Sequence, residues 1–312
     1  MISHMYPAQR IARSEFVPIR QLNYHVRCWG QPGPDKTPWV LLHGWMDVAA
    51  SFQFVVDALT QDHFIIAPDW RGFGLTRSGG ADTFWFPDYL ADLDALLDHY
   101  APGQSVNLVG HSMGGNVAMI YAGVRPGRIR RLVNLEGFGM PASRPEHAAG
   151  RFAQWMNEIK QLNSGMLQLK TYASLDAVAA RLMKTNQRLS ADKARWLASH
   201  WSSELMPGQW SILGEAAHKI TSAQLYRVDE VLAIFRNIKA PTLMVEAEDD
   251  SMALWWKGKF TKAEHRQRMN SVANLEIVQV PDCGHMLHHD QPLAVAALIE
   301  GYLSASQTDS VI

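Results

Sequence analysis

Ser112 sits in the segment Gly110-His111-Ser112-Met113-Gly114, which has the spacing G-x-S-x-G. An apolar run, Val106 to Val109, precedes it, and a helical pattern from Asn116 to Val124 follows. A serine at such a strand-to-helix corner adopts a strained backbone, and only small neighbours leave room for the turn, hence Gly110 and Gly114. The corner lifts the hydroxyl above the strand end and over the N-terminus of the next helix. There the N–H of Met113 is aimed at the oxygen that becomes negative when a carbonyl is attacked. These residue types suit acyl transfer through a serine nucleophile. A phosphate-cradling loop is excluded, because no Gly-Lys-Ser/Thr follows the glycines. A serine hydroxyl is a weak nucleophile at neutral pH, so a base must reach it and an acid must orient that base.

The elements that position Ser112 alternate along the chain. Short apolar runs at 23–29, 39–42, 64–67, 106–109 and 132–135 read as strands, and most are apolar throughout, as in a sheet covered on both faces. Between them, 51–60, 89–100 and 116–124 carry apolar residues at helical spacing. This alternation predicts a mostly parallel, doubly wound sheet with helices on both faces and ligands at the carboxyl ends of its strands. After Glu136 the pattern changes. From about Pro141 to Arg236 the periodicity is helical and no convincing strand is seen. Strands return at 242–245 and 275–280, a closing helix spans 292–302, and the tail 304–312 is expected to fray. The division that follows is a core over 1–140 and 237–312 with a helical cap, 141–236, inserted between.

Composition narrows the partners. Among 312 residues, Lys plus Arg is 29 and Asp plus Glu is 30, a formal charge of −1, which argues against nucleic acid as a partner. No apolar run approaches the roughly 20 residues that span a bilayer. The first 20 residues hold no continuous apolar stretch of the kind a secretory signal needs. Only two cysteines occur, Cys28 and Cys283, too few for a disulfide framework, and reduced thiols in a cytoplasmic setting are the simpler reading. The cap carries Trp155, Met156, Met166, Met183, Trp196, Trp201, Met206, Trp210, Tyr226 and Phe235. Most such residues build cores, yet a cap resting over the strand ends must also roof the site, and an apolar roof favours acyl or aromatic substrates.

Taken with Leu41-Leu42-His43-Gly44-Trp45, Ala67-Pro68-Asp69-Trp70-Arg71-Gly72-Phe73-Gly74, Glu246-Ala247-Glu248-Asp249-Asp250 and Cys283-Gly284-His285, the Ser112 corner resembles the α/β-hydrolase superfamily in its capped branch. The likeness covers about 23–303, and 174–231 is similar to the serine hydrolase-like proteins of that superfamily. The resemblance implies that His285 is the base and that the Trp45 N–H joins Met113 in an oxyanion hole. It implies two sites for the acid. Asp250, after the strand 242–245, holds the commoner place and is favoured. Glu136, at the end of the strand 132–135, holds the place used by haloalkane dehalogenases of one branch. His43 and His111 are read as structural hydrogen-bonders, and Asp69 and Arg71 as residues that brace loops. His288 and His289 are read as helix-end packing and solvent contact, and a metal set of His285 with His288 or His289 and Asp290 is set aside for want of a second ligand cluster.

The activity implied is cleavage of a small apolar carboxylic ester through an acyl-enzyme, with no cofactor and no metal. A carbon–carbon bond hydrolase, thioesterase or lactonase would use the same groups, the first with cationic residues for a substrate carboxylate. Ser112 argues against dehalogenase and epoxide hydrolase chemistry, which need an aspartate nucleophile. A cofactor-free dioxygenase and a non-catalytic ligand receptor are the remaining alternatives on this fold. Oligomeric state is open.

Overall fold

A computed structural model describes residues 5–34 and 36–305, so the expected frayed tail falls outside the described residues from 306 onward. The first part of the chain forms β1 (Arg13–Ile19), β2 (Leu22–Trp29), β3 (Trp39–Leu42), α1 (Gln53–Ala58), β4 (Ile65–Pro68), α2 (Phe86–Tyr100), β5 (Val106–His111), α3 (Met113–Val124) and β6 (Ile129–Leu135). Then come α4 (Ala148–Asn163), β7 (Thr171–Tyr172), α5 (Leu175–Thr185), α6 (Ala191–Trp201), β8 (Ser202–Met206), β9 (Gln209–Ile212) and α7 (Val228–Phe235). The last part is β10 (Thr242–Ala247), α8 (Ser251–Trp256), α9 (Lys262–Met269), β11 (Leu275–Val280), α10 (Leu287–Asp290) and α11 (Pro292–Ser304).

One eight-stranded sheet carries the molecule, in the order β1-β2-β4-β3-β5-β6-β10-β11. From β4 to β11 every neighbouring pair is parallel; β2 runs antiparallel to both β1 and β4. This is the expected α/β-hydrolase fold with a mostly parallel sheet. Strands β3, β4, β5 and β10 are buried along their whole length, which is why they read as largely apolar runs. Side chains nevertheless alternate between two cores. Val40, Leu42, Leu108 and Leu132 pack with Leu93, Leu96, Val117 and Met119 from α2 and α3. Trp39, Leu41, Val109 and Val133 pack with Val55, Leu287, Val295 and Ile299 from α1, α10 and α11. Truncating a fully buried member such as Leu108 or Leu132 costs about 2–5 kcal/mol.

The sequence reading stops short of β1. Its signal is a brief alternation, with Val17 and Ile19 buried and Pro18 exposed between them, and an edge strand needs only one covered face. A larger difference lies between β6 and β10. Alongside four helices this insertion holds a three-stranded sheet, β7-β9-β8, where no strand was expected. Pro207-Gly208, read only as punctuation, closes the β8–β9 hairpin, and Gly208 takes the positive φ of 76° that the turn requires. Ser202-Ser203-Glu204-Leu205-Met206 has no β-branched residue, so propensity concealed it.

The insertion is tied to the loop after β3. Val178, Leu189, Leu197 and Trp201 share a core with Val48, Ala50 and Phe54. Trp201 Nε1 donates to the Met46 carbonyl at 3.0 Å, and the ring of His218 stacks between Phe73 and Phe84 with centroids 3.7 Å from each. Helix α4, in contrast, buries none of its residues. No helix among the described residues is long and apolar enough to cross a membrane. Cys28 and Cys283 are both buried free thiols.

Candidate active site

Ser112 lies between the last residue of β5 and the first of α3, with φ 53° and ψ −115°. That strained conformation is held because everything around it is close. A Cβ on Gly110 would meet the Gly114 carbonyl oxygen at 2.3 Å, and one on Gly114 would meet the Leu42 carbonyl oxygen at 2.1 Å. The Ser112 N–H donates to the Leu135 carbonyl at 2.8 Å, which fastens the corner to β6.

His285 arrives from the loop between β11 and α10, and its Nε2 stands 2.9 Å from Ser112 Oγ. The two are 173 residues apart in sequence. His111 holds the loop in place by donating from Nε2 to the His285 carbonyl at 2.8 Å, and the Trp255 ring meets the imidazole edge-on at 4.1 Å. Burial holds His285 far below its ordinary value, at about 3, so the ring is neutral at neutral pH.

The carboxylate behind His285 is Glu136. Its Oε2 lies 3.3 Å from His285 Nδ1 and accepts from the Ser251 hydroxyl at 3.1 Å, while Oε1 accepts from the Ala247 N–H at 2.7 Å. Glu136 is 1% exposed, and burial pushes its carboxyl up to about 7 against the lowering effect of those hydrogen bonds. The favoured reading of Asp250 as the acid is therefore corrected. Asp250 is exposed and caps α8, accepting from the Ala253 N–H at 2.9 Å. Its neighbour Asp249 pairs with Arg188 at 2.7 Å. The physical reason is local. The chain turns into α8 immediately after β10, which spends Asp250 on the helix start and sends Ser251 inward to hold Glu136.

Glu136 itself is placed by a tight turn at the end of β6. Its φ is 57°, and the turn is closed by Asn134, whose Oδ1 accepts from the Gly137 N–H at 2.8 Å and whose Nδ2 donates to the Gly137 carbonyl at 2.9 Å. A Cβ on Gly137 would stand 2.4 Å from Asn134 Oδ1 and 2.9 Å from the Ser112 carbonyl oxygen. The glycine after Glu136 is thus demanded by a close approach.

The loop after β3 passes close to Ser112. A Cβ on Gly44 would lie 3.2 Å from Ser112 Cβ. Among the described residues, neither the Trp45 N–H nor the Met113 N–H has a hydrogen-bond acceptor. Asp69 braces this region by accepting from the Ala49 N–H at 2.7 Å, the Leu75 N–H at 2.9 Å and His25 Nδ1 at 2.7 Å. Arg71 is bonded twice to Asp92, at 2.6 and 2.7 Å. His43 accepts from the Trp70 N–H at 2.9 Å through Nε2.

A cavity of about 620 Å³ opens over Ser112 and His285. Leu182, Leu197 and Trp201 of the insertion line it, with Trp255 from α8. Of the aromatic and Met residues expected to roof the site, Trp201 does so; Met156, Met166 and Met206 are exposed. Arg181 and Lys184 also border the cavity, and among the described residues neither has a carboxylate partner. His288 and His289 are buried at 0% and 3% exposure, so the expectation of solvent contact is corrected. Asp290 is occupied by the Gly284 N–H at 2.9 Å and Asn186 Nδ2 at 2.7 Å.

A sheet of this order with a serine corner, a histidine loop and an insertion over the strand ends defines an α/β-hydrolase. A family model described as alpha/beta hydrolase fold matches residues 37–292, and the chain belongs to that family. It is 24% identical to a serine hydrolase-like protein of Danio rerio over 312 residues, covering 96% of this chain and 92% of the relative. It is 26% identical to a 2-hydroxy-6-oxo-2,4-heptadienoate hydrolase of Pseudomonas putida, covering 86% of this chain and 89% of that one. Among solved structures, a thioesterase domain from the curacin biosynthetic pathway is similar with a TM-score of 0.79 and 22% identity, covering 93% of this chain and 99% of the domain.

Proposed function

We propose that this hydrolase cleaves a carboxylic ester through an acyl-enzyme, with Ser112 as nucleophile, His285 as base and Glu136 as the orienting acid. The observation that carries the reading is the continuous contact from Ser112 Oγ to His285 Nε2 at 2.9 Å and from His285 Nδ1 to Glu136 at 3.3 Å. In the reaction, Ser112 Oγ bonds to the carbonyl carbon while its proton passes to His285 Nε2. The N–H groups of Met113 and Trp45 receive the oxyanion, and neither has an acceptor among the described residues. Collapse breaks the ester C–O bond, and His285 returns the proton to the departing alkoxide, which leaves as an alcohol. Water then adds to the acyl group with His285 again as base, releasing the acid and restoring Ser112.

The segment 141–236 acts as a cap in this reading, supported by the contribution of Leu182, Leu197 and Trp201 to the cavity wall. An apolar wall excludes water from the acyl group and strengthens the oxyanion contacts. The test is a fluorophosphonate probe together with a p-nitrophenyl ester series, run on wild type and Ser112→Ala. Labelling of Ser112 and loss of turnover in the variant are expected. A folded wild-type protein that neither takes the label nor turns over any ester would overturn the proposal.

A second reading has one observation in its favour. Arg181 and Lys184 at the cavity border, without carboxylate partners among the described residues, suit a substrate that itself carries a carboxylate, as in carbon–carbon bond hydrolysis on the same three groups. Assaying a vinylogous diketone acid beside the ester series distinguishes the two.

A further inference from the structure

Between β5, α10 and the turn over 49–52, the fold buries more polar capacity than it satisfies. Asp47, His288 and His289 are 6%, 0% and 3% exposed. One ligand atom from each, a carboxylate oxygen and two imidazole nitrogens, lies within 4.8 Å of the other two. The Ser51 hydroxyl sits beside them, 3.0 Å from His288 Nε2 and 2.6 Å from His289 Nε2. A hydroxyl brings one proton and two lone pairs, and it does not complete the set. Among the described residues, Asp47 Oδ2 and His288 Nδ1 have no hydrogen-bond partner, and neither does Nδ1 of His111, whose ring lies 4.2 Å from that of His288. Buried polar atoms without partners are rare and costly, and a cation is the kind of group that answers several lone pairs at once.

We propose that Asp47, His288 and His289 form a binding site for one divalent d-block cation of the Zn²⁺ type. Two imidazoles with one carboxylate select this class over Mg²⁺ and Ca²⁺, which take sets made of oxygen. Ser51 supplies a fourth oxygen or rotates aside as the donors draw in to metal–nitrogen distances of about 2.0–2.1 Å. An entry path exists, because Asp47 and His289 both border the cavity over Ser112. The set differs from the one considered from sequence: His285 is engaged with Ser112 and Glu136, and Asp290 with Gly284 and Asn186. Bridging the loop after β3 to α10, the cation would cross-link the two segments that flank Ser112 and His285. The proposal does not depend on which bond the enzyme cleaves.

The test uses Co²⁺ as the probe on the full chain freed of metal by chelator. One equivalent is expected to bind with the ligand-field absorption of a four-coordinate site, to be displaced by Zn²⁺, and to raise the melting temperature as metal concentration rises. Asp47→Asn and His289→Gln are each expected to weaken binding by about tenfold or more, whereas the exposed His147→Gln leaves it unchanged. Absence of uptake, or an unchanged spectrum and affinity in folded Asp47→Asn and His289→Gln, overturns the site. Should both variants fail to fold, zinc-edge X-ray absorption of the wild type decides. Two imidazoles and an oxygen at bonding distance support the site, and a shell without imidazole overturns it.

Discussion

Glu136, the first residue beyond β6, faces His285 Nδ1 at 3.3 Å and takes the position behind the histidine that Asp250 was expected to fill. The two carboxylates differ in nearly every physical respect. One is 1% exposed and held by Ala247 and Ser251; the other is exposed and spent on a helix start.

That contrast makes the first prediction. Glu136→Gln keeps the shape but cannot take the charge that develops on His285, and kcat falls by about 10³–10⁴-fold. Asp250→Ala leaves kcat within a small factor of wild type and costs about 1 kcal/mol of stability through the lost cap. Steady-state kinetics with thermal melts reads both, and the reverse ranking would restore Asp250.

A second prediction concerns the turn that presents Glu136. Gly137→Ala must push against Asn134 Oδ1 and the Ser112 carbonyl oxygen, so both the acid and the nucleophile move. A misplacement of this kind costs about 100-fold in kcat/KM. Activity equal to wild type in a folded Gly137→Ala protein would show that the turn has slack.

The pH dependence of catalysis follows from the carboxylate. Burial raises Glu136 to about 7, so its proton is taken up as the pH falls through that value and the His285 contact loses its charge. The raised carboxyl therefore places the acid limb of kcat/KM near pH 7, well above the range of an exposed carboxylate. A plateau extending unbroken down to pH 5 would contradict this.

Stability has its own pH dependence. His43, His200 and His265 are held down to about 4 and His218 to about 3, all led by burial. In the unfolded chain such rings take up protons below about pH 6.5, so each contribution is complete above that value and fades as the pH falls toward the folded value. Glu136, raised to about 7, works in the opposite direction in the same window. The histidines outweigh the one carboxylate, and melting temperature is expected to drop from pH 7 to pH 5. Calorimetry at fixed ionic strength checks it, and a flat profile would count against it.

The cavity border offers a last test. Arg181→Ala with Lys184→Ala raises KM for a carboxylate-bearing ester by about tenfold and leaves a neutral ester of equal length nearly unchanged. Equal effects on both would mean that the cations do not touch substrate.

The sequence by itself determined the doubly wound sheet, the Ser112 corner and the loop that delivers His285. These are local: a buried parallel strand is apolar throughout, and a corner this tight admits only small neighbours, so both are written in adjacent residues. The hairpin at Pro207-Gly208 was half written, as a turn without visible strands. Which carboxylate meets His285 was decided only by the tertiary structure. Glu136 follows β6 and Asp250 follows β10, both at the carboxyl ends of the strands, and no local pattern says that the turn after β10 directs Asp250 away from the site. The same holds for Asp47, which is more than 240 residues from His288 and His289 in the chain and meets them only because α10 packs against the turn over 49–52. Spacing along the chain carries no record of an encounter that packing alone creates.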